Sequence, residues 1–313
     1  MKKVWLMLLL LCMLCGCSTM PTESLTQNGS ILTDTMGNET VLQTDARVIA
    51  CYGSFAECWL LSGGSLVGVT RDALEERDLP LSETVEIVGT VKDINLEKVA
   101  SLKPDYVILS ADIATHLELE SGLKALGVSY GYFRVDTFED YRFMMAQFCK
   151  VNNRPDLYEE HVENVYDRIC EIRTRQEEAA HETGEKRVLL MRAFSTSVKV
   201  KRNDNVAGQI LDEFVNVINP AEENPSLLEE LSLEQIVKED PDYILVLTMG
   251  DEDAAREYLN HHLKNNPLWQ GLSAIRNGND VILPKHLFHY KPNNRWDESY
   301  EYLAEILYPE FFK

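Results

Sequence analysis

Short apolar runs alternate with amphipathic segments along most of this chain. A short apolar run predicts a buried strand, and apolar residues spaced three and four apart predict a helix. Alternation of the two predicts parallel strands joined by helical crossovers, and therefore an α/β protein. After an antiparallel hairpin at residues 31–42, the predicted strands span residues 47–51, 66–70, 106–110, 128–133, 187–191, 243–247 and 281–283. The predicted helices between them span residues 56–61, 96–102, 115–126, 206–214, 233–239, 251–262 and 297–308.

The middle of the chain departs from this alternation. Residues 138–150 form one amphipathic segment, and residues 156–182 form a second that contains neither glycine nor proline. Leu157, Val162 and Ile169 belong to an apolar stripe along the second segment. A helix of about 25 residues would be about 38 Å long. We expect this helix to be a strut that holds two lobes at a nearly fixed separation, with limited hinge motion.

The two halves of the chain repeat one pattern. Residues 95–110 read NLEKVASLKPDYVILS and residues 232–247 read SLEQIVKEDPDYILVL, so that five identical residues recur at an offset of 137. A second echo, at an offset of 140, aligns RVI at residues 47–49 with RVL at residues 187–189. Each unit reads as a helix, a proline that ends it and a buried strand. This repetition predicts two related α/β lobes.

These tracts, together with NPLWQGLSAIRNGNDV at residues 266–281, resemble the substrate-binding components of bacterial ABC importers. The subgroup is the one with a helical backbone, which takes up iron–siderophores, haem or cobalamin. The resemblance covers residues 41–309 and implies two Rossmann-like α/β lobes with mostly parallel central sheets, joined by one long helix. The expected boundaries are residues 31–153 for the first lobe, 154–183 for the helix and 184–313 for the second lobe.

The N-terminus has the features of an export signal. Lys2 and Lys3 precede an apolar run of about eleven residues, which is too short to span a bilayer and is typical of a secretory signal. The run ends in LCGC, which resembles a lipobox. We therefore expect residues 1–16 to be a signal peptide, Cys17 to be acylated, and residues 17–30 to be a tether. Two acyl chains hold a protein stably on a membrane, so the expected location is the extracytoplasmic face of the cell membrane.

Charge and cysteine content narrow the possible partners. The chain carries 51 acidic and 30 basic residues, for a formal charge of −21, which argues against nucleic acid and against membrane contact other than through the lipid. No pair among Cys51, Cys58, Cys149 and Cys170 has metal-site spacing. We favour buried free thiols, and a disulfide between Cys51 and Cys58 stays open because the compartment permits it. We expect a monomer.

Ligands of open α/β sheets bind beyond the carboxyl ends of the strands. Two such edges that face each other across the strut define a cleft. Aromatic faces and cationic side chains there suit a bulky chelate with anionic groups. The residues predicted to bind ligand follow predicted strands, and they are Tyr52, Ser54, Phe55, Arg71, Asp112, Arg192, Phe194, Met249, His289, Tyr290, Lys291, Arg295 and Trp296.

Alternatives remain for several of these residues. Tyr290 and Trp296, with Phe288, are also suited to anchoring the final helix in the core, and Arg192 to an ion pair with a neighbouring acid. His286 and His289 invite a metal hypothesis, but two histidines do not complete a site, so we predict no resident metal or cofactor. Axial ligation of haem iron by His289 or Tyr290 is a further alternative.

The expected function is capture of a ferric siderophore or similar iron chelate and delivery to an ABC permease. Haem or cobalamin is the alternative ligand, and a zinc or manganese receptor is less favoured. The resemblance also implies that Glu97 and Glu234, at matching positions of the repeats, dock on arginines of the permease. No nucleophile elbow, phosphate loop or dinucleotide fingerprint is present, so we predict no enzyme. A lipid-anchored hydrolase and a structural lipoprotein are the least favoured interpretations.

Overall fold

The computed structural model describes residues 29–229 and 232–312. The predicted signal peptide, Cys17 and nearly all of the tether lie outside the described residues. Two separate five-stranded sheets, one in each half of the chain, form the centres of two lobes. None of the helices in the described ranges combines the length and apolar character needed to cross a bilayer.

The first lobe is built on a wholly parallel sheet in the order β5-β4-β3-β8-β9. Its strands, with two antiparallel ribbons, are β1 (Ser30–Thr33), β2 (Glu39–Leu42), β3 (Val48–Ala50), β4 (Leu66–Val69), β5 (Glu86–Ile87), β6 (Gly89–Thr90), β7 (Asp93–Ile94), β8 (Tyr106–Ser110) and β9 (Ser129–Phe133). Its helices are α1 (Gly53–Leu61), α2 (Asp72–Glu75), α3 (Leu96–Ser101), α4 (Ala114–Glu118), α5 (Glu120–Leu126) and α6 (Phe138–Val151).

The connection between the lobes is one continuous helical rod. It consists of α7 (Pro155–Tyr158), a π-helical segment (Glu159–Glu163) and α8 (Asn164–Thr183). Pro155 occupies the first turn, where its missing N–H costs nothing, and Gly184 ends the helix. The predicted long helix is therefore present, and the π-helical segment within it is an addition that the apolar spacing did not indicate.

The second lobe repeats the first around the parallel strand order β12-β10-β13-β14, with β11 added antiparallel to β10. Its strands are β10 (Lys186–Ala193), β11 (Val198–Lys201), β12 (Val217–Ile218), β13 (Tyr243–Thr248) and β14 (Asp280–Ile282). Its helices are α9 (Val206–Glu213), α10 (Pro220–Glu223), α11 (Ser226–Glu229), α12 (Leu233–Glu239), α13 (Glu252–Leu259) with a π-helical extension (Asn260–Lys264), α14 (Pro267–Gln270), α15 (Ser273–Arg276), α16 (Lys285–Phe288) and α17 (Trp296–Leu307).

The echoed residues make the same contacts in both lobes. In the first lobe, the Arg47 amide donates to Asp105 Oδ2 at 2.7 Å, and the Asp105 amide donates to the Arg47 carbonyl at 2.8 Å. In the second lobe, Arg187 and Asp242 exchange the same two bonds at 2.8 and 2.9 Å. Each pair joins the central strand to the parallel strand that follows the proline. The predicted α/β fold of two related lobes around a central helix is confirmed.

One apolar core runs through both lobes along the rod. Phe148 from the first lobe, Ile169 and Ile172 from the rod, and Leu303 from α17 are all buried in it. The rod also makes polar contacts with each lobe, since Tyr141 Oη of the first lobe donates to the His161 carbonyl at 3.0 Å and Gln176 Nε2 donates to the Val215 carbonyl of the second lobe at 2.8 Å. Smaller cores cover the opposite face of each sheet. Both lobes are thus fastened to the same helix, which restricts their relative motion.

Some local predictions were wrong. Residues 115–126 form two helices, α4 and α5, rather than one, because the chain turns at Leu119. The short strands β5, β6, β7, β11 and β12 were not predicted, since runs of two to four residues give no clear periodic signal.

Candidate functional site

Strand ends from both lobes meet at one charged region. Tyr52 follows β3, and Glu76 follows α2 in the first lobe. Arg192 lies near the end of β10, while Lys285, His289 and Tyr290 follow β14 in the second lobe. We call these six residues the candidate cleft. Burial, then Asp72, raise the pKa of Glu76 while Lys285 of the other lobe opposes the rise, so the two lobes are electrostatically coupled there.

The second lobe contributes a cluster of cations. Burial, and after it the nearby positive charges of Lys285, Arg192 and Lys291, lower the pKa of His289 to about 4. His289 is therefore a neutral imidazole near pH 7. Lys285 Nζ donates to the Gly250 carbonyl at 2.5 Å, at the end of β13. Positive charge is thus concentrated at the carboxyl ends of β10, β13 and β14.

Arg192 lacks the acid partner that a structural role would require. Its side chain is half-buried, and its buried Nε makes no hydrogen bond within the described part of the chain. Burial lowers the pKa of Arg192, and the negative charge of Asp204 opposes this shift. Among the described residues, no acid lies close enough to Arg192 to form an ion pair with it. A desolvated guanidinium without a partner is costly. An anionic ligand would satisfy it.

The first lobe contributes acids and a phenol. Burial raises the pKa of Tyr52 to about 12, so its hydroxyl stays protonated and can donate a hydrogen bond. Asp72 Oδ2 accepts from the Gly53 amide at 2.6 Å, at the start of α1. Burial also raises the pKa of Asp72. This wall therefore offers hydrogen-bonding groups, whereas the opposite wall offers positive charge.

Four other predicted residues follow inner strands of the two sheets, namely β4, β8, β10 and β13. Asp112, after β8, forms an exposed ion pair with Arg134 at 2.6 Å. Sequence reasoning missed Arg134, although it directly follows the apolar run of β9. Arg71 is exposed and lies 3.9 Å from Glu75. Phe194 and Met249 are half-buried after β10 and β13.

Three predicted ligand residues are instead part of the protein interior, and a fourth, Arg295, has an acid partner. Ser54 and Phe55 are 1% exposed, because α1 begins at Gly53 and turns both side chains inward. Trp296 is 1% exposed and packs edge-on against Phe138 at 6.1 Å between ring centres, as the core-anchor alternative required. Arg295 forms an ion pair with Glu57 at 3.3 Å.

Two more assignments need adjustment. Lys291, also predicted to bind ligand, has an acid partner in the other lobe, since its Nζ lies 2.8 Å from Asp136 Oδ1. Cys51 and Cys58 are both buried free thiols, so the disulfide alternative is wrong for this conformation. In the described ranges, no three His, Cys, Asp or Glu side chains are grouped as a metal site would need.

Glu97 and Glu234 occupy equivalent surface positions. Each is the second residue of a short helix, α3 or α12, whose first turn is capped by a polar side chain, from Asn95 and Ser232 respectively. Both glutamates are exposed. Each helix then leads through a proline into the strand that pairs with the central strand of its sheet.

Comparison with known proteins identifies the family. A sequence model of the periplasmic binding protein family matches residues 48–287, which is more than half of the chain. The chain belongs to this family. It is 26% identical over 281 residues to the Fe(3+)-citrate-binding protein YfmC of Bacillus subtilis, covering 87% of this chain and 85% of that protein. It is 23% identical over 307 residues to the putative ABC transporter substrate-binding lipoprotein YhfQ of the same species, covering 92% of this chain and 90% of that protein.

Solved structures agree on the fold. A periplasmic haem-binding protein from Pseudomonas aeruginosa superposes with a TM-score of 0.68 at 21% identity, covering 85% of this chain and 94% of that one. The resemblance to ABC-importer substrate-binding proteins is thereby confirmed. Members of this family bind solutes rather than transform them, so the chain is a binding protein and not an enzyme.

Proposed function

We propose that this protein captures a ferric siderophore or similar anionic iron chelate between its lobes and delivers it to an ABC permease. The observation that carries the proposal is Arg192, whose half-buried guanidinium has no acid partner among the described residues and stands beside Lys285 and His289. Ferric chelates that contain carboxylate or catecholate groups often carry negative charge. Guanidinium and ammonium groups bind such oxygens through charge-assisted hydrogen bonds.

The aromatic residues of the candidate cleft support a bulky ligand rather than a bare ion. Tyr52 and Tyr290 are both half-buried, and they come from opposite lobes. Aromatic side chains contribute large contact areas with little conformational entropy to lose. The Fe(3+)-citrate-binding relative supports an iron chelate with carboxylate oxygens.

Haem is a second candidate because of one observation. His289 is neutral near pH 7, and a neutral imidazole is competent to ligate iron. Tyr290 is its neighbour, with ring centres 4.9 Å apart. A haem complex would show an iron-histidine or iron-tyrosinate spectrum that disappears in a His289→Ala or Tyr290→Phe variant.

The N-terminus supports a placement of the protein on the cell envelope. LCGC at residues 14–17 supports lipidation of Cys17, and the relative YhfQ is described as a lipoprotein. Glu97 and Glu234, exposed at matching positions of the two lobes, support docking on basic residues of two permease subunits. We expect the mature protein to act as a monomer on the extracytoplasmic face of the membrane.

Thermal denaturation with a ligand panel tests the proposal. Ferric citrate, ferric siderophores of the catecholate and carboxylate classes, haem and cobalamin would be added separately at saturation. A ligand present at a hundred times its Kd stabilises the folded state by about 2.7 kcal/mol. We expect that gain from a ferric chelate and none from the iron-free chelator. Stabilisation by free zinc or manganese alone would overturn the proposal.

A further inference from the structure

A segment of the second lobe, residues 285–295, contacts the first lobe directly beside the candidate cleft. Arg77 follows α2 in the first lobe. Its guanidinium donates through Nη1 to the main-chain carbonyls of Tyr290 at 3.2 Å and Lys291 at 2.9 Å. Two consecutive main-chain carbonyls from one lobe are thus held by a single side chain from the other. Tyr290 and the adjacent His289 are both members of the candidate cleft.

The same segment is held a second time by Glu57 of α1. Glu57 Oε2 accepts from the Asn293 side-chain amide at 2.5 Å, and Glu57 Oε1 lies 3.3 Å from Arg295. Glu57 also forms an ion pair with Arg77. The Asn293 amide donates in addition to the Ser54 carbonyl at 2.9 Å. One carboxylate therefore joins the first lobe to two side chains of the second.

Burial makes this network selective for one arrangement of the lobes. The side chains of Arg77 and Glu57 are 2% and 12% exposed, and Asn293 is fully buried. Burial, then the neighbouring Arg295, lower the pKa of Arg77 to about 10, which still leaves it charged near neutrality. The free-energy cost of desolvating these charges is offset by their mutual attraction only when the groups are well aligned. A displaced segment would therefore leave buried charges without partners.

We propose that Glu57, Arg77 and Asn293 form an inter-lobe latch that positions His289 and Tyr290 for ligand binding. The three residues are positioning residues, since their burial keeps them from contact with a ligand in the cleft. The effect on ligand binding rests on the proposed function, whereas the effect on the segment itself does not.

Asn293→Gly is the primary test. The backbone at Asn293 has a φ of 56°, which glycine adopts without strain, so the variant removes the buried side chain and its amide bonds to Glu57 and Ser54 without straining the backbone. Asn216→Gly is the matched control, because Asn216 has the same φ of 56° but is exposed in the second lobe, away from the latch. Arg77→Lys is a second variant, which keeps a positive charge but loses the planar fork that places Nη1 on the two carbonyls and Nη2 on Glu57 at the same time.

Hydrogen–deuterium exchange of the ligand-free protein gives a readout that needs no ligand. The amides of His289, Tyr290 and Arg295 are bonded within the segment, and they should exchange at least about tenfold faster in Asn293→Gly and Arg77→Lys. Exchange in the second-lobe sheet should stay as in the wild-type protein. Asn216→Gly should leave the segment's exchange unchanged.

Binding of ferric citrate, followed by tryptophan fluorescence, gives the second readout. We expect Kd to rise about tenfold in both latch variants and to stay at the wild-type value in Asn216→Gly. Unchanged exchange in both latch variants would overturn the latch. Faster exchange with an unchanged Kd would overturn its positioning role. If the wild-type protein binds neither ferric citrate nor another chelate, the proposed function fails, while the exchange result still decides whether the latch exists.

Discussion

Replacing Arg192 by methionine tests two effects separately. One is the loss of stability that an unpaired, partly buried cation causes, and the other is the contribution of that cation to ligand affinity. Methionine keeps the apolar stem of the side chain and removes the guanidinium. A hydrogen bond to a charged group contributes about 1.5–3 kcal/mol, which corresponds to a rise in Kd of about 10- to 150-fold for an anionic chelate. Because the guanidinium makes no ion pair with the described residues, the ligand-free variant should be as stable as the wild-type protein or more stable.

Arg187→Met is the matched control at the opposite end of the same strand. Arg187 forms ion pairs with Glu223 at 2.9 Å and Glu239 at 2.8 Å, and its side chain is 26% exposed. Its loss should lower stability by about 1 kcal/mol, or a few degrees in Tm, and leave ligand affinity unchanged. Fluorescence titration and thermal denaturation of both variants measure the two effects. Wild-type affinity in Arg192→Met would show that Arg192 does not bind the ligand, and a loss of stability as large as that of the control would show that Arg192 has a structural partner.

Three further predictions test the site, the packing and the docking surface. Because the pKa of His289 is depressed in the folded protein, the unfolded state binds a proton first as pH falls. Stability should therefore fall between about pH 6.5 and pH 4, and it should fall less steeply in His289→Asn. Parallel pH curves for the two proteins in thermal denaturation would contradict this. A Cβ at Gly131 would lie 1.9 Å from Tyr106 Oη, so Gly131→Ala should be destabilised by about 1–3 kcal/mol in denaturant titration, and Tyr106→Phe should restore part of the loss; no rescue would show that the clash lies elsewhere. Charge reversal of Glu97 and Glu234 together should abolish uptake by cells at unchanged Kd, unlike reversal at two unrelated exposed acids, and normal uptake would remove the docking proposal.

The elements that the sequence predicted well were those with a strong periodic or repeated signal. The rod was visible because its apolar stripe continues for several turns without glycine or proline, and β8 was predicted with the observed bounds because Pro104 and an apolar run define it. The duplicated Arg47–Asp105 and Arg187–Asp242 contacts explain why those echoes recur at nearly constant offsets. Short strands such as β11 carry no comparable pattern, because two alternating residues on a face are too few.

The candidate site was harder to predict, because a loop residue can turn towards the cleft or towards the neighbouring lobe. The ligand-binding predictions within residues 286–296 rested on the aromatic and cationic composition of that segment, with anchoring of the final helix in the core as the alternative. In the structure only its start faces the candidate cleft, whereas Asn293, Arg295 and Trp296 pack between the lobes. The contacts of Asn293 and Arg295 join residues more than two hundred positions apart, such as Glu57 and Asn293, and no local pattern encodes them.

The most direct test of the account is the position of iron in crystals grown with a bound ferric chelate. Diffraction data collected at the iron absorption edge locate the metal without assumptions about the chelator. The account predicts one anomalous peak between the lobes, with chelate oxygens on Arg192 and Lys285 and with Tyr52 on the opposite side. An iron peak on the outer surface of either lobe, or a ligand between the lobes that makes no contact with Arg192, would contradict it.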